Sequence, residues 1–377
     1  MATHAPLLDA QQPGPVAQFT ARKSAPAKAR KKLIRRTEMD GSQLYRRTFQ
    51  GVFLLLNLWL GTKFYFWVRQ FETGNLQASL QRPAGIEGWL PIAGLMNLRY
   101  WLLSGQIPQL HPAAMFLLLT FLAMAFLFRK AFCSWLCPIG TLCEFLWRAG
   151  KKLFGRNLLL PRWIDLPLRG LKYFLLGFFV WAISTMSIVG IRDFMMSPYG
   201  LIADVKMLNF FRHIGDTGLL VLGVFILASL FIQNFWCRFL CPYGALLGLT
   251  SWLSPARIRR NERTCIDCAK CAKACPSALP VDKLVQIRSV ECTGCLECVA
   301  VCPAQDALAM SLPKMLGAQP NRPPLPAWAM AAGIALLFLG VAGFAKATGH
   351  WESPIPNAVY ERLVPNADQA AHPMPGR

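Results

Sequence analysis

Polar and apolar positions fall into long blocks along this chain. Residues 1–47 are polar and carry ten Lys or Arg, as in "SAPAKARKKLIRR". Five apolar runs follow: Gly51–Val68, Pro112–Phe128, Tyr173–Val189, Gly218–Phe235 and Ala327–Ala345. A helix that crosses a bilayer needs about 20 mostly apolar residues. Each run therefore predicts a membrane span, the second and third near the short limit and helped by flanking interfacial residues. Buried helices of a soluble protein are the weaker reading, because five such runs would need a very large core. A signal peptide has its apolar part within about the first 15–30 residues. Here the first run begins near residue 50, so it is expected to stay in the mature chain.

Composition and charge sharpen this picture. Hydrophobic residues make up 54% of the 377, and the formal net charge is +21. The charge is not spread evenly enough to argue for nucleic acid. Segment 129–170 holds eight Lys or Arg and segment 236–326 holds eleven. The intervening loops are sparse: 69–111 has only Arg69, Arg82 and Arg99, and 190–217 only Arg192, Lys206 and Arg212. Cytoplasmic loops are the ones rich in Lys and Arg. The N-terminus, 129–170 and 236–326 are thus expected inside a bacterial inner membrane, with the tail after Ala345 in the periplasm. Lys63, near the outer end of the first span, reads as a snorkelling side chain.

All 13 cysteines lie between positions 133 and 302, on stretches expected in the reducing cytoplasm, where metal binding is favoured over disulfides. "CIDCAKCAKACP" gives Cys265, Cys268, Cys271 and Cys275; "CTGCLECVAVCP" gives Cys292, Cys295, Cys298 and Cys302. Both read C-x2-C-x2-C-x3-C-P, the bacterial ferredoxin run, whose fourth cysteine ligates the other cluster. One [4Fe-4S] cluster is expected on Cys265, Cys268, Cys271 and Cys302, the other on Cys292, Cys295, Cys298 and Cys275. Structural zinc, which takes four ligands, usually as two separated pairs, fits this pattern poorly. Gly294 suits close backbone approach to the sulfurs. Lys270 and Lys273 would favour the reduced first cluster if they point at it; facing water is the alternative. The second loop has Glu297 instead.

A second cysteine pattern repeats. "FCSWLCPIG" (132–140) and "WCRFLCPYG" (236–244) each end an apolar run with C-x3-C-P. They read as the ends of a duplicated two-helix unit in parallel orientation, both at the inner surface. Residues four apart on a helix have Cβ atoms about 5–6 Å from each other, wider than a disulfide accepts. Pro138 and Pro242 predict new helices starting just after Cys137 and Cys241, where a thiolate is stabilised. "IGTLCEFLWRAGKKLF" suits a helix lying in the interface. Cys133, Cys137, Cys237 and Cys241 are expected together as a metal or further cluster site, as redox-active dithiols, or as packed cysteines. Cys143, opposite Leu247 in the repeat, reads as a small buried residue. His111 and His213 are also related by the repeat, as interfacial histidines or as a haem or quinone-site pair. No C-x-x-C-H haem attachment, Gly-rich nucleotide motif, or proton-transfer or nucleophilic constellation is visible. Neither flavin nor nicotinamide binding is supported.

These motifs together resemble the membrane polyferredoxin family, with its NapH-, NosR- and CcoG-type members, over roughly residues 48–312. The module from Arg263 to Leu312 resembles two-cluster bacterial ferredoxins. The resemblance implies a role in redox work or metal binding for Cys133, Cys137, Cys237 and Cys241. The chain lacks room for the outer flavin domain of NosR-like proteins. After Ala345 it has about 32 residues, in place of the β domain of CcoG-like proteins. It adds a fifth span where NapH-like proteins usually stop. The expected fold is a mainly α membrane protein of about five transmembrane helices, a duplicated two-helix unit plus one, with a small α+β ferredoxin-like module. The expected division is a disordered segment 1–47, repeats 48–145 and 170–255 joined by an interfacial linker 146–169, the cluster domain 256–312, a linker 313–326, a last span 327–345 and a tail 346–377. The expected task is one-electron transfer between a quinol pool or cytoplasmic donor and a respiratory or maturation partner, as a carrier or as a subunit of a quinol-dehydrogenase-type oxidoreductase. The rival is a copper-handling oxidase-assembly factor, since Cu(I) favours soft thiolates.

Overall fold

The structure, a computed structural model, describes residues 33–37, 40–74, 80–158, 160–312 and 324–373. Most of the basic segment 1–47 and of the linker 313–326 lies outside the described residues. The described part of the first segment is ordered: residues 34–36 run along 303–305, with Arg36 N donating to Pro303 O and Gln305 N to Ile34 O. The helix α1 (Ser42–Glu72) then begins inside it.

Among the described residues three helices are long and apolar enough to cross a membrane: α1, α6 (Arg162–Thr185) and α14 (Ala327–Ala347). Between α1 and α6 lie α2 (Pro91–Ser104), α3 (Pro112–Phe128), α4 (Ala131–Trp135) and α5 (Pro138–Phe154). After α6 come α7 (Ile188–Met196), α8 (Pro198–Leu201), α9 (Ala203–Arg212), α10 (Asp216–Phe231) and α11 (Pro242–Trp252). Helices α9 and α10 count as a fourth span only if their 84° bend is one broken helix.

Of the five expected spans, the first, third and fifth meet this measure, and the fourth does so only as part of the bent pair. Helix α3 has 17 residues and α10 has 16. At 1.5 Å per residue these reach about 25 Å, short of the roughly 30 Å hydrocarbon layer. Helix α3 ends where Arg129 takes a φ of 65° and its buried guanidinium donates to Ser251 O. Helix α10 gives way at Ile232, before the expected end at Phe235, and a π-helical turn follows at Trp236–Leu240. The third expected run is shifted: α6 stops at Thr185, because Ser187 Oγ accepts from Gly190 N at 2.9 Å and starts α7.

Helix α3 is the central element and is buried along most of its length. It packs against α2, α11 and α14. The repeat is visible at its end and at the end of α10. Cys137 and Cys241 are the N-caps of α5 and α11, each followed by proline. Their sulfurs accept from Gly140 N at 3.4 Å and Gly244 N at 3.3 Å. Sulfur here takes the place that a Ser or Asp oxygen fills at other helix starts.

The cluster module is closed by two antiparallel strands, β1 (Arg257–Arg260) and β2 (Leu308–Ser311), with Arg257 opposite Ser311. Between them the two cysteine loops have the same backbone turn. Ala269 at φ 58° precedes α12 (Lys270–Ala274), and Leu296 at φ 59° precedes α13 (Glu297–Ala300). At the far end of the molecule, α15 (Asn357–Leu363) places Tyr360 against Trp67 of α1, ring centroids 4.8 Å apart.

Candidate iron-sulfur and thiol centres

Strand pairing explains the first grouping of cysteines. Cys265 follows β1 and Cys302 precedes β2, so the antiparallel pair brings the end of the second run back to the start of the first. Asn261 N donates to Ala307 O and Thr264 Oγ1 to Asp306 O, which fastens that return. Burial pushes the Cys302 thiol up, and Cys268 and Cys265 beside it push it the same way. Burial also raises Cys271, to about 11, with Cys302 adding to it. Cys268 is exposed, so this set lies nearest the solvent.

Cys275 joins the other set. With Cys292, Cys295 and Cys298 it lines an enclosed cavity whose wall includes Gly294 and Leu279. Burial pushes Cys295 up to about 12, and Cys298 goes well above its ordinary value for the same reason, with Cys295, Cys292 and Cys275 around it. Thiolates so buried are stable only beside positive charge, which iron supplies. Among the described residues no three His, Cys, Asp or Glu side chains converge on a single metal ion. A lone tetrahedral zinc needs four sulfurs at about 2.3 Å. Four cysteines around one cavity are the donor chemistry that a [4Fe-4S] cluster takes.

The paired thiols converge. Cys133, Cys137, Cys237 and Cys241 line one cavity of about 400 Å³ between the membrane helices. Its upper wall is apolar, from Phe53, Leu56 and Leu60 of α1 and Phe121 of α3. Pro276, Ser277 and Thr293 line both this cavity and the one holding Cys275, so a single layer of residues separates them. Cys143 is buried as expected, and its thiol lies beside that of Cys237, a contact that repeat alignment alone did not indicate.

Membrane part and module are joined by specific bonds at this boundary. Trp135 Nε1 donates to Gly294 O at 3.2 Å, and Ser134 Oγ to Thr293 O at 2.7 Å. Gly294 has a φ of 63°, and a Cβ there would stand 2.9 Å from Phe128 O. The glycine is thus required by its contact with α3 as well as by its turn. Gln43 Nε2 of α1 donates to Cys295 O at 3.0 Å.

Charged groups surround the same boundary. Lys172 on α6 is fully buried and bonds Glu291, the residue before Cys292; Lys130 stands 3.5 Å from the same carboxylate. Burial alone would raise the Glu291 carboxyl; Lys130 and Lys172 overcome it and hold it at about 2. Lys130 and Glu291 both line the four-thiol cavity. On another side, buried Arg46 bonds Glu144 at 2.5 Å and Glu297 at 2.6 Å, and Arg148 bonds both carboxylates too. Glu297 is therefore neutralised, while Lys270 and Lys273 are exposed to water. Neither network was legible as pairs, because each joins residues about 100 or more positions apart.

The histidines do not share a site. His111 is buried, with Nδ1 3.2 Å from Glu87 and Nε2 2.8 Å from Gly200 O. Both ring nitrogens are thus engaged, beside Arg82, which bonds Glu87 and Asp204 at 2.7 and 2.6 Å. His213 is exposed at the end of α9.

Comparison with known proteins agrees with this layout. The 4Fe-4S binding domain family matches residues 110–157 and 217–261, the two segments that carry the paired thiols. The 4Fe-4S dicluster domain family matches residues 256–310. The protein YccM of Escherichia coli (strain K12) is 51% identical over 328 residues, 87% of this chain and 92% of YccM. The ferredoxin-type protein NapH of the same organism is 26% identical over 260 residues, 66% of this chain and 83% of NapH. The protein NirI of Paracoccus denitrificans is 30% identical over 227 residues, 58% of this chain but 32% of NirI. No solved structure matches the chain.

Proposed function

Because the chain belongs to the membrane-bound 4Fe-4S polyferredoxin family that includes YccM, NapH, NosR and NirI, we propose that it relays single electrons through three centres in a row. The Cys265, Cys268, Cys271 and Cys302 set is the entry nearest water. The Cys275, Cys292, Cys295 and Cys298 set is the middle. Cys133, Cys137, Cys237 and Cys241 form the membrane end. When bound, [4Fe-4S] clusters supply the one-electron chemistry, and the protein supplies position and field. The observation that carries this reading is the shared wall of Pro276, Ser277 and Thr293 between the middle and membrane cavities. The name of YccM assigns it, provisionally, to electron transport.

Cysteine-bearing loops rich in Lys and Arg support a cytoplasmic, inner-membrane placement of the module. Phe53, Leu56, Leu60 and Phe121 lead from the bundle to the four thiols, which suits a lipid-soluble partner such as a quinol. The test is electron transfer in liposomes: a reduced water-soluble dye on the module side, a quinone in the bilayer. The protein is expected to connect them, and Cys133→Ser with Cys237→Ser to stop transfer while the ferredoxin signals persist. Transfer unchanged in that variant would overturn the three-centre row. Cu(I) binding lost in the same variant, with no dye-to-quinone transfer in wild type, would favour copper handling.

A further inference from the structure

Helix α5 and the first cysteine loop enclose a groove lined by Trp147, Arg148, Lys151, Lys152, Lys273 and Glu297. We propose that this groove binds the phosphate of an anionic phospholipid at the membrane surface on the module side, clamping the module to the bilayer.

Its charge is one-sided. Among the described residues Glu297 is the only carboxylate on its wall, and Arg46 and Arg148 already hold it. Lys151, Lys152 and Lys273 have no partner among the described residues. An ammonium can only donate. The wall therefore offers three unpaired cationic donors against one carboxylate that is already held, which suits a phosphate.

The rim points to a lipid as the source of that phosphate. Phe154 of α5 stacks on Phe231, the last residue of α10, with ring centroids 4.8 Å apart. Leu153 and Phe154 are exposed beside it, and Gln233, just past the same membrane helix, lines the groove. Gly150 lets α5 lie directly on Leu230 O, since any Cβ would collide there. The lysines are thus held at the end of a membrane helix, with apolar side chains on the acyl side. Cytoplasmic basic pockets between membrane helices are suited to anionic head groups. Lys151 and Lys152 belong to the membrane part and Lys273 to the loop between Cys271 and Cys275, so one head group would bridge the two.

The test uses the full-length protein, purified in detergent and stripped of lipid. Binding is read by native mass spectrometry and by thermal shift during titration with phosphatidylglycerol, phosphatidylcholine or inorganic phosphate. Phosphatidylglycerol is expected to bind and stabilise, the other two to do neither at the same concentration. A surface lysine contributes about fivefold to such binding, so the triple variant K151Q/K152Q/K273Q should lose on the order of 100-fold. Lys270→Gln, outside the groove, should lose nothing. Equal binding of phosphatidylcholine, or full affinity in the triple variant, would overturn the proposal. Phosphate binding as strong as phosphatidylglycerol would overturn the lipid source and assign a soluble anion. The wild-type lipid comparison stands even if a variant fails to fold.

Discussion

Lys172 donates to both oxygens of Glu291, at 2.6 and 2.7 Å, from a membrane helix to the residue that precedes Cys292. The bond fixes the second cysteine loop against α6, and Lys130 leaves one positive charge in excess beside the four thiols. Among the described residues Glu291 is the carboxylate partner of both Lys172 and Lys130, so removing it leaves two buried cations uncompensated, where one such loss costs about 3–5 kcal/mol. Glu291→Leu should therefore lower the unfolding temperature sharply. Lys172→Met, which leaves Lys130 beside Glu291, should cost less. Losing the cation should also make reduction of the neighbouring centre harder, read as a lower midpoint in a potentiometric EPR titration; an unchanged midpoint would remove Lys172 from any electrostatic role.

Gly294 tests the docking of the module. Alanine there must hold a φ of 63° and place a methyl 2.9 Å from Phe128 O. Left-handed backbone in a non-glycine residue costs about 1–3 kcal/mol, and the collision adds to it. Gly294→Ala should lower both the melting temperature and the iron retained on purification. Retention of full iron would show that α3 does not constrain the loop.

Arg46 gives a pH signature. Burial alone would raise the Glu144 carboxyl, but Arg46 and Arg148 hold it at about 2 against an ordinary 4.5. A depressed carboxyl stabilises the fold fully above its ordinary pKa and loses that contribution as pH falls through the folded value. Wild type should be more stable than Arg46→Met near neutral pH, and the gap should narrow as pH is lowered from about 5 towards 2. Melting curves of the two proteins across that range measure it; a constant gap would mean that the Arg46 pairs contribute nothing.

His111 is expected to act through packing. His111→Asn keeps a residue that tolerates the left-handed backbone at φ 47° but loses the bonds to Glu87 and Gly200 O. It should cost about 1–3 kcal/mol in stability and leave iron content and EPR signals untouched. A change in those signals would reopen a redox role.

The legible parts of this molecule were the ones written locally. Pro138 and Pro242 announced new helices with Cys137 and Cys241 at their starts, because a proline's backbone restriction acts on the residue beside it. Apolar runs gave helix positions, but not which helices would be long enough to cross. Helix α3 ends at Arg129 because its guanidinium finds Ser251 O, 122 residues later in the chain, and no window of sequence contains both. The same holds for the Lys172 and Glu291 bond and for Cys143 against Cys237. His111 looked related to His213 by the repeat, yet the two halves diverge on that side, and only one histidine is buried.

Iron and acid-labile sulfide, counted per chain in protein purified without oxygen, test the central claim most directly. Three four-iron centres predict about twelve of each, falling to about eight when Cys133 and Cys237 are both serine. About eight in the wild type, or a count that the double variant leaves unchanged, would contradict a centre at the paired thiols; colourless protein carrying zinc alone would contradict the whole account.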